Sequence, residues 1–387
     1  MKTSSQRLDQ IQDNFFAGLE ERITCLKSQG QEIFRLDMGA PDLPPARHIL
    51  EALHRSADQP GNHSYQPLRG APALRQAWAA HYQQHYAVEL DPQRQVLPLM
   101  GSKEGIFLIT QAVVDPGEVV LIPDPGYLVY AQAAHFALAE PYFMPLTAEN
   151  GWLPDLDAIP VEVRQRARLL WLNYPNNPTA AVANLEFFER AVAFARAYDI
   201  LLCHDAAYSL VTFDGRQPLS MLQVPGASNI TLEFNSLSKA YNMAGWRVGA
   251  ALGCPDAIQS LFRLLAGLTS GSFRPIHDAS IAALTGDQGW VAERNQVYQA
   301  RRDQVLQALE KRGWSAEKSS GALYIWFHIP PGFSSSEAFC LALLEKTGVS
   351  LTPGTIFGSQ GEGYVRLALS LPQEILKEAL QRLDNWK

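Results

Sequence analysis

Short apolar runs alternate with longer stretches of helical periodicity through the middle of this chain of 387 residues. The pattern predicts strands over residues 95–100, 119–122, 169–172, 200–203, 229–234 and 248–252, and helices from residue 103 and over 184–198. Such alternation is typical of βαβ units, in which helices cover both faces of a mostly parallel sheet. Ligands of these sheets bind at the carboxyl ends of the strands, so polar residues that follow a strand are the first candidates for a site.

The two ends of the chain have a different pattern. A helix is predicted over residues 6–29, ending at Gly30, because an apolar residue recurs at every fourth position, at Ile11, Phe15, Leu19 and Ile23. The last hundred residues predict a long helix, a strand, a second helix and a second strand, over residues 288–312, 323–327, 335–346 and 364–369. This order predicts a smaller α+β domain, connected to the rest by the long helix.

Composition and charge exclude several classes of protein. The chain is 47% hydrophobic and 18% charged, as in ordinary globular proteins, and its net charge of -7 argues against nucleic-acid and anionic-membrane partners. Its polar start lacks the apolar core of a signal peptide, and no apolar run approaches the roughly 20 residues of a membrane span. Four scattered cysteines show neither metal-ligand spacing nor a disulfide framework, which predicts a metal-free cytoplasmic protein.

One short motif carries a specific chemical hypothesis. Ser236-Leu237-Ser238-Lys239, followed by Arg247, puts an amine beside two hydroxyls and a guanidinium just after an apolar run. A lysine among anion-binding groups indicates a Schiff base with a phosphorylated aldehyde, namely pyridoxal 5′-phosphate (PLP). Most lysines are only solvated surface charges, so the motif needs support elsewhere in the chain.

PLP binding has three requirements: donors for the phosphate, a carboxylate for the pyridine nitrogen and a lysine for the aldehyde. Gly101-Ser102-Lys103 lies at a strand-to-helix junction, where free N–H groups favour anions, although a plain helix cap is the alternative. Asp205 directly follows a buried strand and is the candidate for the ring nitrogen; its alternative is a cap or turn. Tyr208, three residues later, could reach the O3′ oxygen of the ring.

Two further segments could contact the ring. Asn177 belongs to residues 173–179, a turn made stiff by two prolines, and could donate to O3′ from there. Tyr127 follows Pro125-Gly126 and is a candidate for stacking on the ring, with ordinary packing as its alternative.

Taken together, these motifs resemble the class I/II aminotransferases, which are PLP enzymes of fold type I. The resemblance covers nearly the whole chain and rests on motifs in the family's order: Tyr65 with Gly70, Gly101-Ser102-Lys103, Pro125-Gly126-Tyr127, Asn177-Pro178-Thr179, Asp205 with Tyr208, Ser236-x-Ser238-Lys239, Arg247 and Arg366. Within the family, the local sequences of residues 101–105, 123–127 and 239–247 are most similar to those of the LL-diaminopimelate and alanine-type branch.

The resemblance implies a fold and a division of the chain. The fold is α/β, with a large domain whose mostly parallel sheet is flanked by helices and a small α+β domain built from both termini. We expect residues 1–45 to form an N-terminal arm and part of the small domain, residues 46–285 the large PLP-binding domain, and residues 286–387 the small C-terminal domain. Family members are homodimers with shared active sites.

The resemblance also implies residue roles around the cofactor. Lys239 would hold PLP and then move the substrate proton, while Asp205 would pair with the ring nitrogen and Tyr208 and Asn177 with O3′. The phosphate would be held by the Ser102 and Lys103 amides, Ser236, Ser238 and Arg247, with Tyr65 reaching a phosphate across the dimer interface.

On the substrate side, the resemblance implies that Arg366 binds the α-carboxylate through its planar fork and that Gly39 lies on the loop closing over it, beside Asn177. The activity implied is transfer of an amino group from an amino acid to a 2-oxo acid, with LL-diaminopimelate and 2-oxoglutarate as the candidate pair. The alternatives are an alanine- or aspartate-type aminotransferase, a PLP-dependent carbon–sulfur β-lyase, and a PLP-binding sensor domain.

Two positions depart from the family's pattern. Ala180 stands where the family has glycine after Asn-Pro-Thr, which argues against a glycine-only backbone angle there. His277 stands where the branch often has glutamine. Both positions are expected near the site, where they bear on the substrate more than on PLP.

Overall fold

The computed structural model describes residues 3–5, 7, 8, 15–384 and 386 of the chain. Helices in this part are α1 Phe15–Ser28, α2 Arg47–Ala57, α3 Pro72–Tyr86, α4 Ser102–Val113, α5 Val129–Phe136, α6 Val161–Arg166, α7 Leu185–Ala197, α8 Leu237–Ala240, α9 Pro255–Leu265, α10 Arg274–Thr285, α11 Gly289–Lys311, α12 Ser336–Thr347 and α13 Gln373–Asp384. Strands are β1 Phe34–Arg35, β2 Val96–Leu99, β3 Val119–Asp124, β4 Glu140–Pro145, β5 Ala167–Asn173, β6 Leu201–Asp205, β7 Thr231–Ser236, β8 Gly249–Gly253, β9 Tyr324–His328, β10 Val349–Ser350, β11 Thr352–Pro353 and β12 Tyr364–Ala368.

A seven-stranded sheet forms the centre of the molecule, in the order β2-β8-β7-β6-β5-β3-β4. Neighbouring strands from β7 to β4 run parallel, and β8 runs antiparallel to both β7 and β2. The prediction of a mostly parallel sheet is therefore confirmed. Because β5, β6 and β7 run side by side in one direction, their carboxyl ends meet at one edge of the sheet, at Asn173, Asp205 and Ser236.

A second, smaller sheet of β11, β12 and β9 is antiparallel throughout. Strand β1, from the N-terminal part of the chain, pairs in parallel with β10 from the C-terminal part. Phe34 and Leu36 are buried in the same apolar cluster as Val349, Leu351 and Val365. The segment after α1 is therefore held against the C-terminal elements, and this brings residues 37–45 to the edge of the central sheet.

Helix α1 begins at Phe15 and is followed by Gly30, which has a left-handed φ of 84°. Leu19 and Ile23 are buried as the periodicity predicted. Residue 6, residues 9–14 and therefore Ile11 lie outside the described residues. Within the part of the chain that is described, no helix combines the length and apolarity that a bilayer crossing requires.

Candidate active site

A cavity of about 510 Å³ opens where the carboxyl ends of β5, β6 and β7 meet. Every predicted site residue except Tyr65 lines it: Gly39, Ser102, Lys103, Tyr127, Asn177, Asp205, Tyr208, Ser236, Ser238, Lys239, Arg247 and Arg366. The cavity is also lined by residues to which the sequence analysis assigned no role: Phe16, Leu128, Asn173, Ala207, Ala244, Tyr324 and Phe357.

Lys239 lies on α8, a single helical turn that begins directly after β7. The Ser236 hydroxyl caps this turn by accepting from the Ser238 N–H at 3.2 Å, which fixes the direction in which the turn leaves the sheet. Lys239 Nζ donates to the Gly39 carbonyl at 2.5 Å. Burial, reinforced by the positive charges of Arg366 and Arg247, lowers the pKa of Lys239 to about 8. A useful fraction of the amine is therefore neutral, and nucleophilic, near physiological pH.

Asp205 is the last residue of β6 and is buried. Burial raises its pKa to about 6. Hydrogen bonds from the Tyr130 hydroxyl at 3.0 Å and the Ala207 N–H at 3.3 Å lower the pKa but do not cancel the effect of burial. The carboxylate is therefore mostly ionised at neutral pH, and none of its hydrogen-bond partners within the described residues is a cation. The sequence analysis did not predict Tyr130 as a site residue. Its position one helical turn after Tyr127 could have indicated that both side chains lie on the same side of the helix.

Asn173 links the ends of β5 and β6. Its side chain donates to the Asp205 carbonyl at 2.7 Å and accepts from the Asn177 N–H at 2.8 Å. Asn177 is thereby fixed at the start of a tight turn, and its side-chain oxygen accepts from Arg366 Nη1 at 2.7 Å. Because arginine only donates, this contact orients the Asn177 amide and leaves its NH₂ group for another acceptor.

Arg366 projects from β12 and is buried. Its second terminal nitrogen donates to the Asp37 carbonyl at 2.9 Å, and its guanidinium lies over the rings of Tyr324 and Phe357, 4.3 and 4.6 Å from their centroids. Nε has no hydrogen-bond partner within the described part of the chain. Since these partners are neutral oxygens and rings, the charge of Arg366 is available to a bound carboxylate.

Tyr208 and Tyr324 connect the two sides of the cavity. Their hydroxyl oxygens are 2.5 Å apart, and both side chains are buried. Burial and the neighbouring Tyr324 hydroxyl raise the pKa of Tyr208 well above its usual value, so its phenol keeps its proton. A Cβ on Gly39 would lie only 2.2 Å from the Tyr324 hydroxyl oxygen, so the absence of a side chain there allows the segment to pack on Tyr324.

The other end of the cavity has the features of an anion site. Helix α4 starts at Ser102 without a side-chain cap, which leaves N–H groups free at its positive end. Gly101 has a φ of 85°, and a Cβ there would lie 2.3 Å from Arg247 Nη2. Arg247 Nη1 lies 3.4 Å from the Ser238 hydroxyl and 3.1 Å from the Ala244 carbonyl. A cation, a hydroxyl and free amides thus converge, and this donor set fits the phosphate of PLP.

Three positions differ from expectation or lie apart from the cavity. Tyr65 does not line it, and its side chain is 91% exposed. Ala180 has a φ of 59°, in the left-handed region that favours glycine but that alanine adopts at a cost of about 1 kcal/mol, so the angle there is not one that glycine alone adopts. Neither Ala180 nor His277 lines the cavity; Ala180 packs in the C-terminal apolar cluster and His277 lines a smaller neighbouring cavity.

Comparison with known proteins agrees with this arrangement. The sequence model of the family described as aminotransferase class I and II matches residues 31–383. The LL-diaminopimelate aminotransferase of Moorella thermoacetica is 48% identical over 379 residues, which cover 98% of this chain and 97% of that protein.

Solved structures are similar over the same length. Substrate-bound BacF from Bacillus subtilis superposes with a TM-score of 0.95 at 38% identity, covering 99% of this chain and 97% of that one. A double mutant of the aspartate aminotransferase of Thermus thermophilus superposes with a TM-score of 0.93 at 29% identity, covering 99% of both chains. The predicted family and fold type are confirmed.

Proposed function

We propose a substrate and residue roles for this chain, which belongs to the class I and II aminotransferases, a family of PLP-dependent enzymes. The amino donor is LL-diaminopimelate and the acceptor is 2-oxoglutarate. The donor is supported by the name of the relative that is 48% identical over nearly the whole chain. The observation that carries the residue roles is the Lys239 amine, which lies in one cavity with a guanidinium on either side and a pKa lowered to about 8.

Lys239 is the catalytic amine in this proposal. When bound, PLP supplies an electron sink that stabilises negative charge at the α-carbon of an attached amino acid. The neutral Nζ would hold the cofactor through its aldehyde and, once free, would be the base that takes the α-proton of the amino acid. Its lowered pKa suits both roles, since a general base works best when its pKa is close to the working pH.

Asp205, Asn177 and Tyr208 hold the ring. The Asp205 carboxylate would pair with the ring nitrogen and keep it protonated, and this contact would offset the cost of burying the carboxylate. Asn177 offers its NH₂ group and Tyr208 its hydroxyl to O3′. Tyr127, on the wall of the cavity, would stack against the ring face.

The phosphate is held at the start of α4. The amides of Ser102 and Lys103, the Ser238 hydroxyl and Arg247 are its donors, and Gly101 provides the space in which Arg247 approaches. Ser236 contributes through the cap that holds Ser238 and Lys239 at the end of β7. Together these groups place a doubly charged anion at a site of positive potential.

Arg366 binds the substrate α-carboxylate. Its planar guanidinium is fixed by Asn177 and the Asp37 carbonyl and stacked between two aromatic rings, so it is oriented before a substrate arrives. Gly39, on the segment that contacts both Lys239 and Tyr324, closes over that carboxylate and limits access of water.

The working form is a cytoplasmic homodimer in this proposal. Tyr65, 91% exposed in the single chain, reaches the phosphate of the neighbouring subunit. Free cysteines, of which Cys203, Cys254 and Cys340 are buried, fit a reducing compartment. Sedimentation of the PLP-loaded protein would give a dimer, and a monomer with full activity would overturn this part of the proposal.

A screen of amino donors with 2-oxoglutarate tests the substrate. The PLP-loaded protein would be given LL-diaminopimelate, meso-diaminopimelate, aspartate or alanine, and glutamate formation would be measured. We expect the highest kcat/KM with LL-diaminopimelate, with meso-diaminopimelate as the stereochemical control. A higher value with aspartate or alanine would contradict the donor assignment while leaving the aminotransferase reaction intact.

A further inference from the structure

A buried histidine and glutamate lie directly behind the candidate active site, on the opposite face of the sheet from Asp205. His204 and Glu233 are neighbours in register on β6 and β7, and neither side chain is exposed to solvent. His204 Nδ1 lies 2.8 Å from Glu233 Oε2. Asp205, the residue expected to hold the cofactor's ring nitrogen, directly follows His204 on the same strand.

The contacts of Glu233 identify it as a carboxylate. Besides His204, its two oxygens face the Tyr82 hydroxyl at 2.7 Å, the Ser220 hydroxyl at 2.8 Å and the Met221 N–H at 2.9 Å. Burial pushes the pKa of Glu233 upward, but hydrogen bonds from His204, Tyr82 and Ser220 outweigh it and the net shift is downward. With four donors around it, the side chain is a fully satisfied acceptor.

The contacts of His204 then fix the charge of its ring. The second ring nitrogen, Nε2, lies 3.1 Å from the Tyr174 carbonyl, which can only accept. The ring also packs against the apolar ring of Phe188 of α7, with 5.1 Å between the centroids. Since both ring nitrogens face acceptors, both carry protons, and the ring is an imidazolium paired with the Glu233 carboxylate.

We propose that His204 is a positioning residue for the cofactor site: as a buried imidazolium it joins the ends of β5, β6 and β7 and provides a positive charge beside Asp205. This inference rests on the proposed role of Asp205 toward PLP. Tyr174 leads into the turn of Asn177, His204 precedes Asp205, and Glu233 lies three residues before Ser236. One side chain therefore holds three segments that carry the proposed ring and phosphate contacts.

The electrostatic part of the role acts on Asp205. Burial raises the pKa of Asp205, whereas the hydrogen bonds from Tyr130 and Ala207 and the charge of His204 lower it. Among the described titratable groups that interact with that carboxylate are the phenols of Tyr130, Tyr127 and Tyr208 and the ring of His204. Of these, His204 alone provides a positive charge, so it favours the ionised form that would pair with the ring nitrogen.

Nitrogen-15 NMR of the histidine rings in the PLP-loaded protein tests the charge directly. At pH 7 we expect His204 to show two protonated ring nitrogens, because both nitrogens face acceptors. His81 is an internal reference, because its ring is also buried and burial lowers its pKa to about 3, so it is neutral. A neutral pattern for His204 at that pH would overturn the proposal even if every variant failed to fold.

His204→Asn tests the positioning role, with His81→Asn as the matched control. An asparagine amide can still donate to Glu233 but carries no charge and cannot reach the Tyr174 carbonyl. We expect PLP affinity to fall by about tenfold or more, since a charge-assisted contact is lost, with a similar fall in kcat. His81→Asn should lower the melting temperature comparably while leaving PLP affinity unchanged.

The outcomes separate this inference from the proposed function. Wild-type affinity and kcat in His204→Asn, or equal losses in His81→Asn, would overturn the positioning role while leaving PLP chemistry at Lys239 intact. If the wild-type protein instead took up no PLP, the proposed function itself would fail, whatever the charge of His204.

Discussion

Arg366 donates a hydrogen bond of 2.7 Å to the side-chain oxygen of Asn177, so the proposed carboxylate-binding group and a proposed cofactor contact are joined directly. The bond connects β12 of the small antiparallel sheet with the turn after β5 of the central sheet. Arrival of a substrate carboxylate at Arg366 would therefore also affect the orientation of the Asn177 amide. If the proposed roles hold, this one contact couples binding of the substrate with the electronic control of the cofactor.

Substitution of Arg366 tests the carboxylate site. We expect Arg366→Ala to lower kcat/KM for the amino donor by about 10²-fold, mainly through KM, because a buried charge-assisted pair is lost. Arg366→Lys is the control that keeps the charge but not the planar fork, and its activity should be intermediate. PLP affinity is measured by fluorescence in parallel. Loss of PLP from Arg366→Ala without a change in KM would show that Arg366 serves the cofactor instead.

Asp205 should reduce the stability of the protein when PLP is absent. Its pKa in the folded protein, about 6, lies above the ordinary pKa of an aspartate. Its contribution to stability is therefore fully present at pH values below that ordinary pKa, and it is lost as the pH rises through 6. Asp205→Asn should therefore raise the free energy of unfolding of the PLP-free protein at pH 7 by on the order of 1–3 kcal/mol. The gain should shrink at pH 4.5.

The same substitution should weaken PLP binding, because an amide cannot keep the ring nitrogen protonated. Urea unfolding at the two pH values and PLP titration provide the measurements. An Asp205→Asn protein that is no more stable at pH 7, or that binds PLP as tightly as wild type, contradicts the account.

Capture of PLP by the PLP-free protein should depend on pH through Lys239. Since only the neutral amine attacks the aldehyde and its pKa is about 8, the capture rate should rise about tenfold between pH 7 and pH 9. Arg366→Leu removes a positive charge that lowers this pKa, so its profile should shift to higher pH. Stopped-flow absorbance gives the rates, and a flat profile or a shift to lower pH would refute the assignment.

Gly101 tests the phosphate end of the cavity, with Gly117 as the control. Both have a φ of 85°, but a Cβ on Gly101 would clash with Arg247, whereas one on Gly117 meets nothing within 4 Å. Alanine at either position should cost roughly 1–3 kcal/mol through backbone strain. Only Gly101→Ala should also weaken PLP affinity, measured by equilibrium titration. Equal PLP affinities in the two variants would mean that the space beside Arg247 does not matter for the phosphate.

The sequence predicted those parts of the site that follow strands. Asp205 and Lys239 come directly after apolar runs, and parallel pairing brings such positions together whatever their distance along the chain. Strand β4 was missed; it lies at the edge of the sheet, and five of its six positions are exposed or only partly buried. Helix α3, which packs against the edge strand β2, and helix α2 were also left out of the prediction.

Contacts between distant segments could not be read from the pattern. Tyr324 lies in a predicted strand, but its pairing with Tyr208 depends on how the small sheet docks on the central one. The contact of Asn173 with Asp205 depends on the strand order β5-β6, which periodicity does not specify. Ala180 shows a different limit. Its residue type indicated that the backbone angle is not glycine-only, but it did not predict the left-handed angle that the residue adopts.

The attachment site of PLP is the most direct test of the account. The PLP-loaded protein would be reduced with borohydride, which makes the bond between cofactor and lysine permanent, and digested for peptide mass spectrometry. Lys377, exposed on α13, and Lys103, on the wall of the same cavity, are the internal controls. We predict the label on Lys239 alone. A label on Lys103 or on any other lysine, with Lys239 unmodified, would contradict the central claim.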